Sequence, residues 1–184
     1  MKNLIITANP SSKAFTHKIA NKIKSLLEAK WEQVEIINLY SKQYKQDFLS
    51  YEDKKDIINL WSIQKNIQKK ILNADELIFV FPIWNQGCPA ILKNFIDCNF
   101  TAGFAFKFEK WWKHIKLLDW KTFKIFATCW ASAFVYEDII PIKYIWEKRM
   151  DFYWIKLNWY HIFWDIDRTD TDKNRYLTDL EKLI

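Results

Sequence analysis

The chain has 184 residues, half of them hydrophobic and 27% charged, which suits one domain with a full-sized core and excludes a disordered segment. No apolar run approaches the roughly 20 residues of a membrane span, and the N-terminal run "MKNLIITANP" breaks at Asn9-Pro10, too early for a signal peptide. The formal charge of +6 is spread along the chain rather than gathered in a block, which reads as a lysine-rich surface and not as a nucleic-acid footprint.

In chain order, "KNLIITA" (2–8) is apolar without polar alternation and predicts a central parallel strand. A helix follows over 14–30, with Ile19, Ile23, Leu26 and Leu27 on one face. Then come strand 33–39, a helix around 52–72, and strand "ELIFVFP" (76–82). Pro89 opens a helix over 89–100. The aromatic stretch 101–119 is long for a connection in a compact domain and predicts a functional loop. Strand 122–129, a helix over about 137–150, strand 160–166 and a helix over 172–183 complete the chain. Five strands alternating with helices predict a parallel α/β sheet in a single domain, 1–184.

The three cysteines (Cys88, Cys98 and Cys129) are odd in number and lack metal spacing, which predicts free thiols and a cytoplasmic location. His17, His114 and His161 are scattered and give no metal motif; His17 reads as helix surface.

Glycine and tryptophan counts are inverted: 2 Gly against 11 Trp. Together they are thirteen of 184 residues, about 7%, the share glycine alone usually holds. Trp31 stands where a helix C-cap glycine is expected. Trp120 and Trp159 follow Asp and Asn in turn-like pairs, Trp111-Trp112 sits in a polar connection, and Trp130 at a strand exit. We therefore expect every tryptophan except Trp84 to be glycine in the native protein, as a UGA codon read as glycine would give; a chain truly rich in tryptophan is the alternative.

Ligands of an open parallel sheet bind outside the carboxyl ends of its strands. Three such ends carry unusual residues. The first has Asn9, Ser11, Ser12 and Thr16 at a helix start, suited to a phosphate or to plain N-capping. No G-x-G-x-x-G or P-loop is present. The second, Pro82-Ile83-Trp84-Asn85-Gln86-Gly87-Cys88-Pro89, offers an aromatic wall and two amides for a planar heterocycle, or a capped surface loop. The third runs from Thr128 to Tyr136. Its backbone N–H groups would stabilise charge on a flat ring, given glycine at 130. Tyr136 is either a phenol for a developing anion or a core residue.

At "GCPAILKNFID" (87–97) and "NFTAGFAFKF" (99–108) the chain resembles the NAD(P)H:quinone oxidoreductase family, the DT-diaphorase-like branch of flavodoxin-fold enzymes. The likeness extends over nearly the whole chain. "LLDWKTFKIFATCWASAFVY" resembles a family segment with glycine at 120 and 130, and "MDFYWIKLNWYHIFWDI" one with glycine at 154, 159 and 164. The resemblance implies a flavodoxin-like three-layer sandwich with strand order 2-1-3-4-5, a homodimer, and non-covalent FMN or FAD. Asn9 and Ala14-Phe15-Thr16 match the phosphate loop. Pro82, Ile83, Trp84 and Asn85 match the flavin-edge loop. Thr128, Cys129, position 130 and Ala131 match the pyrimidine loop. Tyr136 matches a tyrosine that assists charge on the reduced ring. Phe106 and Phe108 match aromatics that line the nicotinamide and quinone pocket across the dimer.

The chain departs from the family where Asn9 replaces a frequent histidine, and "EDIIPIKYI" lacks the histidine that accompanies the tyrosine. The implied activity is hydride transfer from NAD(P)H through the flavin to a quinone-like acceptor, in ping-pong fashion, with no nucleic-acid partner and no membrane insertion. A flavodoxin-like electron carrier or an accessory subunit of a membrane transporter is the alternative reading, and a basic, aromatic nucleic-acid binder a weaker one.

Overall fold

The computed structural model describes residues 1–52, 62–136, 141–166 and 169–184, with the side chains of 135, 136 and 171 excepted. Its elements are β1 (Lys2–Thr7), α1 (Phe15–Ala29), β2 (Gln33–Asn38), α2 (Ser62–Asn73), β3 (Glu76–Pro82), α3 (Ala90–Asn99), β4 (Phe106–Phe108), β5 (His114–Lys116), β6 (Thr122–Thr128), α4 (Ala133–Tyr136), α5 (Ile142–Asp151), β7 (Lys156–Phe163) and α6 (Asp170–Asp179). Five parallel strands form one sheet in the order β2-β1-β3-β6-β7. With the β4–β5 hairpin set aside, this is the expected 2-1-3-4-5 order.

The runs read as strands because both faces are covered. Ile5, Ile78, Val80 and Phe126 pack under α1 and the C-terminal segment, against Ile19, Ile23, Leu27 and Leu180. Leu4, Ile6, Leu77, Phe79, Phe81 and Ile125 face the other way, against Ile67 and Ile71 of α2, Phe95 of α3, and Trp146 and Met150 of α5. Alternate residues of each strand thus feed two cores, so no polar alternation is visible in the sequence.

Three expectations are corrected. The final strand begins at Lys156, not 160: Asn158 and Trp159 lie inside it rather than in a turn, beside a register shift between Phe123 and Lys124 of β6. The pairing supplies the backbone partners that an isolated Asn-Trp pair lacks. The stretch 101–119 contains an antiparallel hairpin, with Phe106 opposite Lys116 and Phe108 opposite His114. Its strands are only three residues long, below the length at which alternation is readable. Third, Trp146 is 1% exposed, with its ring 4.7 Å from that of Phe79 and 5.4 Å from that of Phe81. A glycine there would empty the largest fully buried side chain of the core, so the structure makes Trp146 a core residue in its own right.

The other tryptophans divide by backbone. Seven described non-glycine residues have positive φ, and four of them are Trp31 (61°), Trp111 (65°), Trp112 (59°) and Trp154 (62°). Trp31 follows α1 with its N–H bonded to the Glu28 carbonyl, and the Glu32 N–H reaches the Leu27 carbonyl. That pair of bonds is the helix-terminating motif whose left-handed residue is normally glycine. Trp154 repeats it after α5: its N–H meets the Asp151 carbonyl and the Ile155 N–H the Met150 carbonyl. Trp120, Trp130, Trp159 and Trp164 have no positive φ, and Trp61 lies outside the described residues, as does 53–60 of the expected second helix and 137–140 of the fourth.

At the opposite edge from the loops, Glu76 is fully buried between strands. It accepts from Thr122 Oγ1 at 3.0 Å and Asn158 Nδ2 at 2.8 Å, and its other oxygen lies 3.1 Å from Lys124 Nζ. Nearby, buried Lys121 donates to the carbonyls of Leu72 and Ala74 at the end of α2. Burial pulls its ammonium down to about 8.

Candidate functional site

The three loops singled out by sequence leave adjacent strands on one edge of the sheet. Thr7 of β1 lies beside Val80, and Pro82 of β3 beside Thr128 of β6. Beyond the register, the Ala8 N–H bonds the Val80 carbonyl at 3.2 Å and the Ile83 N–H the Thr128 carbonyl at 2.7 Å. The loops therefore form one surface rather than three separate ones.

The first loop is folded by its own polar groups. Asn9 Oδ1 accepts from the Ser11 N–H at 3.1 Å, and the Ala14 N–H bonds the Ser11 carbonyl at 3.0 Å. The cap of α1 is Ala14, so no side-chain oxygen covers its first N–H groups. Plain N-capping by Ser or Thr, left open by the sequence, is thus not what these residues do. Ser11 and Ser12 are exposed. Thr16 is 1% exposed and its hydroxyl has no hydrogen-bond partner among the described residues. An open helix N-terminus beside an orphaned hydroxyl suits an anionic oxygen group such as phosphate. Phe15 packs against Phe163 and Tyr176 at 5.2 and 6.1 Å between ring centroids, leaving only its backbone to a ligand. His17, expected on the helix surface, instead places Nε2 3.1 Å from the Asn9 carbonyl and braces the loop.

In the second loop, Trp84 and Gly87 exchange two backbone hydrogen bonds of 2.9 Å around Asn85 and Gln86, whose φ values are 46° and 62°. Both central residues are left-handed, the signature of a tight hairpin turn. Ile83 is buried at 3% exposure while Trp84 is 43% exposed, so the loop presents an aromatic face and the Asn85 amide outward. Cys88 follows, its thiol pushed up by burial.

The third loop is pinned to β7 and its exit. Cys129 donates its N–H to Phe163 at 2.8 Å and accepts from Ile166, and the Asp165 N–H meets the Ala131 carbonyl. Thr128, Cys129 and Ala131 are buried, so their side chains do not form an exposed face of the loop. Burial also raises the Cys129 thiol above its ordinary range. Trp130 stands out at 67% exposure. Tyr136 ends the short helix α4; its side chain lies outside the described residues.

Phe106 and Phe108 do not join this surface within one chain. Phe106 meets Phe152 and Tyr153 at 5.0 and 6.0 Å, and Phe108 meets His114 at 5.1 Å. Phe152 and Tyr153 precede β7, whose first residue pairs with Thr122. That is the far edge of the sheet, roughly 20 Å from Thr128 at about 3.3 Å per residue. His114 is the residue the sequence reasoning missed, because its neighbours come together only through the hairpin and the end of α5. Among the described residues no cluster of His, Cys, Asp or Glu suits a metal, and no helix is long and apolar enough to cross a membrane.

Comparison with known proteins places the chain in context. The family model described as "Flavodoxin-like fold" matches residues 1–172. A Haemophilus influenzae protein named as an uncharacterized NAD(P)H oxidoreductase is 33% identical over 142 residues, 75% of this chain and 69% of that protein. An FMN-dependent NADH:quinone oxidoreductase 2 of Listeria monocytogenes is 37% identical over 59 residues, which span 32% of this chain and only 28% of that protein. The crystal structure of Smu.1420 from Streptococcus mutans superposes with a TM-score of 0.85 at 25% identity, covering 100% of this chain and 98% of the other. The chain belongs to the flavodoxin-like fold family.

Proposed function

We propose that this member of the flavodoxin-like fold family is a flavin-dependent NAD(P)H oxidoreductase of the DT-diaphorase-like branch, acting on a quinone-like acceptor. The observation that carries this reading is the joined surface of three loops at the carboxyl edge of β1, β3 and β6. It offers an open helix N-terminus with an orphaned buried Thr16 hydroxyl at one end and an exposed Trp84 face at the other. Asn9, Ser11, Ser12 and the 14–16 turn would hold the phosphate end. Pro82 to Asn85 would border the ring, and the loop from Thr128 to Ala131 would face its pyrimidine edge.

Bound flavin would supply two-electron carriage between the nucleotide and the acceptor. The chain's own work is to stack the ring against Trp84, to hold the phosphate end at the α1 N-terminus, and to exclude water. The FMN-dependent relative supports FMN over FAD as the first cofactor to test. Nucleotide and acceptor sharing one face of the ring would give ping-pong kinetics, the oxidised nucleotide leaving before the acceptor enters. Tyr136 would assist charge on the ring. Phe106 and Phe108, remote from the loops of their own chain, would line the pocket of a second copy in a homodimer.

Glycine in place of most tryptophans belongs to the same reading, now with Trp84 and Trp146 retained. It is supported by the four left-handed tryptophans and the two helix-terminating motifs at Trp31 and Trp154. Peptide masses from the native source test it: glycine at 31 and 154 with tryptophan at 146 is the expected pattern, and tryptophan at all three would end it. For the cofactor, the test is titration of FMN into the glycine form, followed by flavin fluorescence quenching. Stoichiometric quenching is expected; unquenched flavin would favour the accessory-subunit reading.

A further inference from the structure

His114 sits opposite Phe108 in the hairpin, its ring 5.1 Å from Phe108 at 28° and 4.4 Å from Phe152 at 33°. Phe106 closes a third side edge-on at 5.8 Å. Inside this box of three phenyl rings, Nε2 of His114 is shielded from solvent and has no hydrogen-bond partner among the described residues. A shielded ring nitrogen left unpaired is costly, and a bound partner would relieve that cost. The hairpin therefore holds an imidazole nitrogen with no partner among the described residues, in a box whose outer wall, Phe108, is 49% exposed. Phe108 separates Nε2 from solvent on the exposed side of the hairpin.

We propose that His114 is the proton donor to the acceptor, a quinone or another conjugated carbonyl compound; this rests on the flavin oxidoreductase reading and its homodimer. The dihydronicotinamide provides two electrons and one hydrogen nucleus as hydride. Adding them to a quinone leaves an oxygen with a full negative charge, and hydroquinone needs one proton more. Protonated His114 gives it from Nε2, the N–H bond breaking as the O–H bond forms, and neutral His114 then regains a proton from water. Because the hairpin lies across the sheet from its own loops, it serves the site of the second copy.

The test uses the flavin-loaded enzyme and the variant His114→Phe, which keeps a ring between Phe108 and Phe152. Binding of 4-nitrophenolate, an oxyanion probe that is not turned over, is expected to weaken about tenfold in the variant. Its visible band, shifted by hydrogen bonding in the wild type, should return to the solvent value. Quinone reduction is expected to fall about a hundredfold, within the range for loss of a general acid, while ferricyanide, which takes electrons without a proton, is reduced at the wild-type rate. Equal probe binding, or an equal fall with both acceptors, overturns the assignment. If the variant does not fold, His114→Leu, which also has no donor, is read by the same criteria. Failure of the wild type to bind flavin or oxidise NAD(P)H would remove the underlying reading instead, a result distinct from a variant that still reduces ferricyanide.

Discussion

Replacing Trp31 with glycine is expected to stabilise the protein, against the usual effect of deleting a large side chain. Trp31 has φ 61° in a helix-terminating motif, and its ring is 95% exposed. Nothing packed is lost on its removal, while a left-handed residue with a Cβ costs about 1–2 kcal/mol. Part of that gain is returned as unfolded-chain entropy, leaving a net gain of roughly 1 kcal/mol. For a chain of this size that raises Tm by about 2–4 °C. Trp154→Gly gains less, because its half-exposed ring lies under Lys116 Nζ at 4.5 Å, a contact worth about 0.5–1 kcal/mol. Trp146→Gly has the opposite sign: emptying the core costs roughly 3–5 kcal/mol, and glycine inside a helix about 1 more. Thermal and urea unfolding of the three variants measure all of this. Unchanged or lowered stability of Trp31→Gly would refute the argument that these turns are built for glycine.

Two further predictions rest on buried polar groups. Lys121 titrates near 8 in the folded protein against 10.5 ordinarily, so between those values the unfolded chain binds more protons and stability rises with pH, by at most about 1.4 kcal/mol per unit. Lys121→Met should lose that slope relative to the parent in urea titrations from pH 7.5 to 10; parallel curves would contradict it. Thr16→Val should weaken FMN binding about tenfold, roughly 1.4 kcal/mol, without lowering the stability of the flavin-free chain, since the hydroxyl it removes has no protein partner. Unchanged FMN affinity would remove Thr16 from the phosphate site.

The strands were legible where burial on both faces compresses them into apolar runs, as in Glu76–Pro82, and the loops that follow them were legible by position. The hairpin was not, because Phe106–Phe108 and His114–Lys116 alternate over three residues only. Asn158-Trp159 misled because a local turn signal was overridden by pairing with β6. Trp146 looked like the other tryptophans in composition and differs from them only in what surrounds it. The partners of His114 are drawn from both hairpin strands and the end of α5, a juxtaposition that spacing does not encode.

The most direct measurement of the central claim is anaerobic mixing of NADH or NADPH with the FMN-loaded glycine form, watching the flavin's visible absorbance. Bleaching with one equivalent of nucleotide, and recovery on adding one equivalent of a quinone, is the predicted result. FMN that binds but stays yellow with both nucleotides would contradict the oxidoreductase reading and leave an electron carrier in its place.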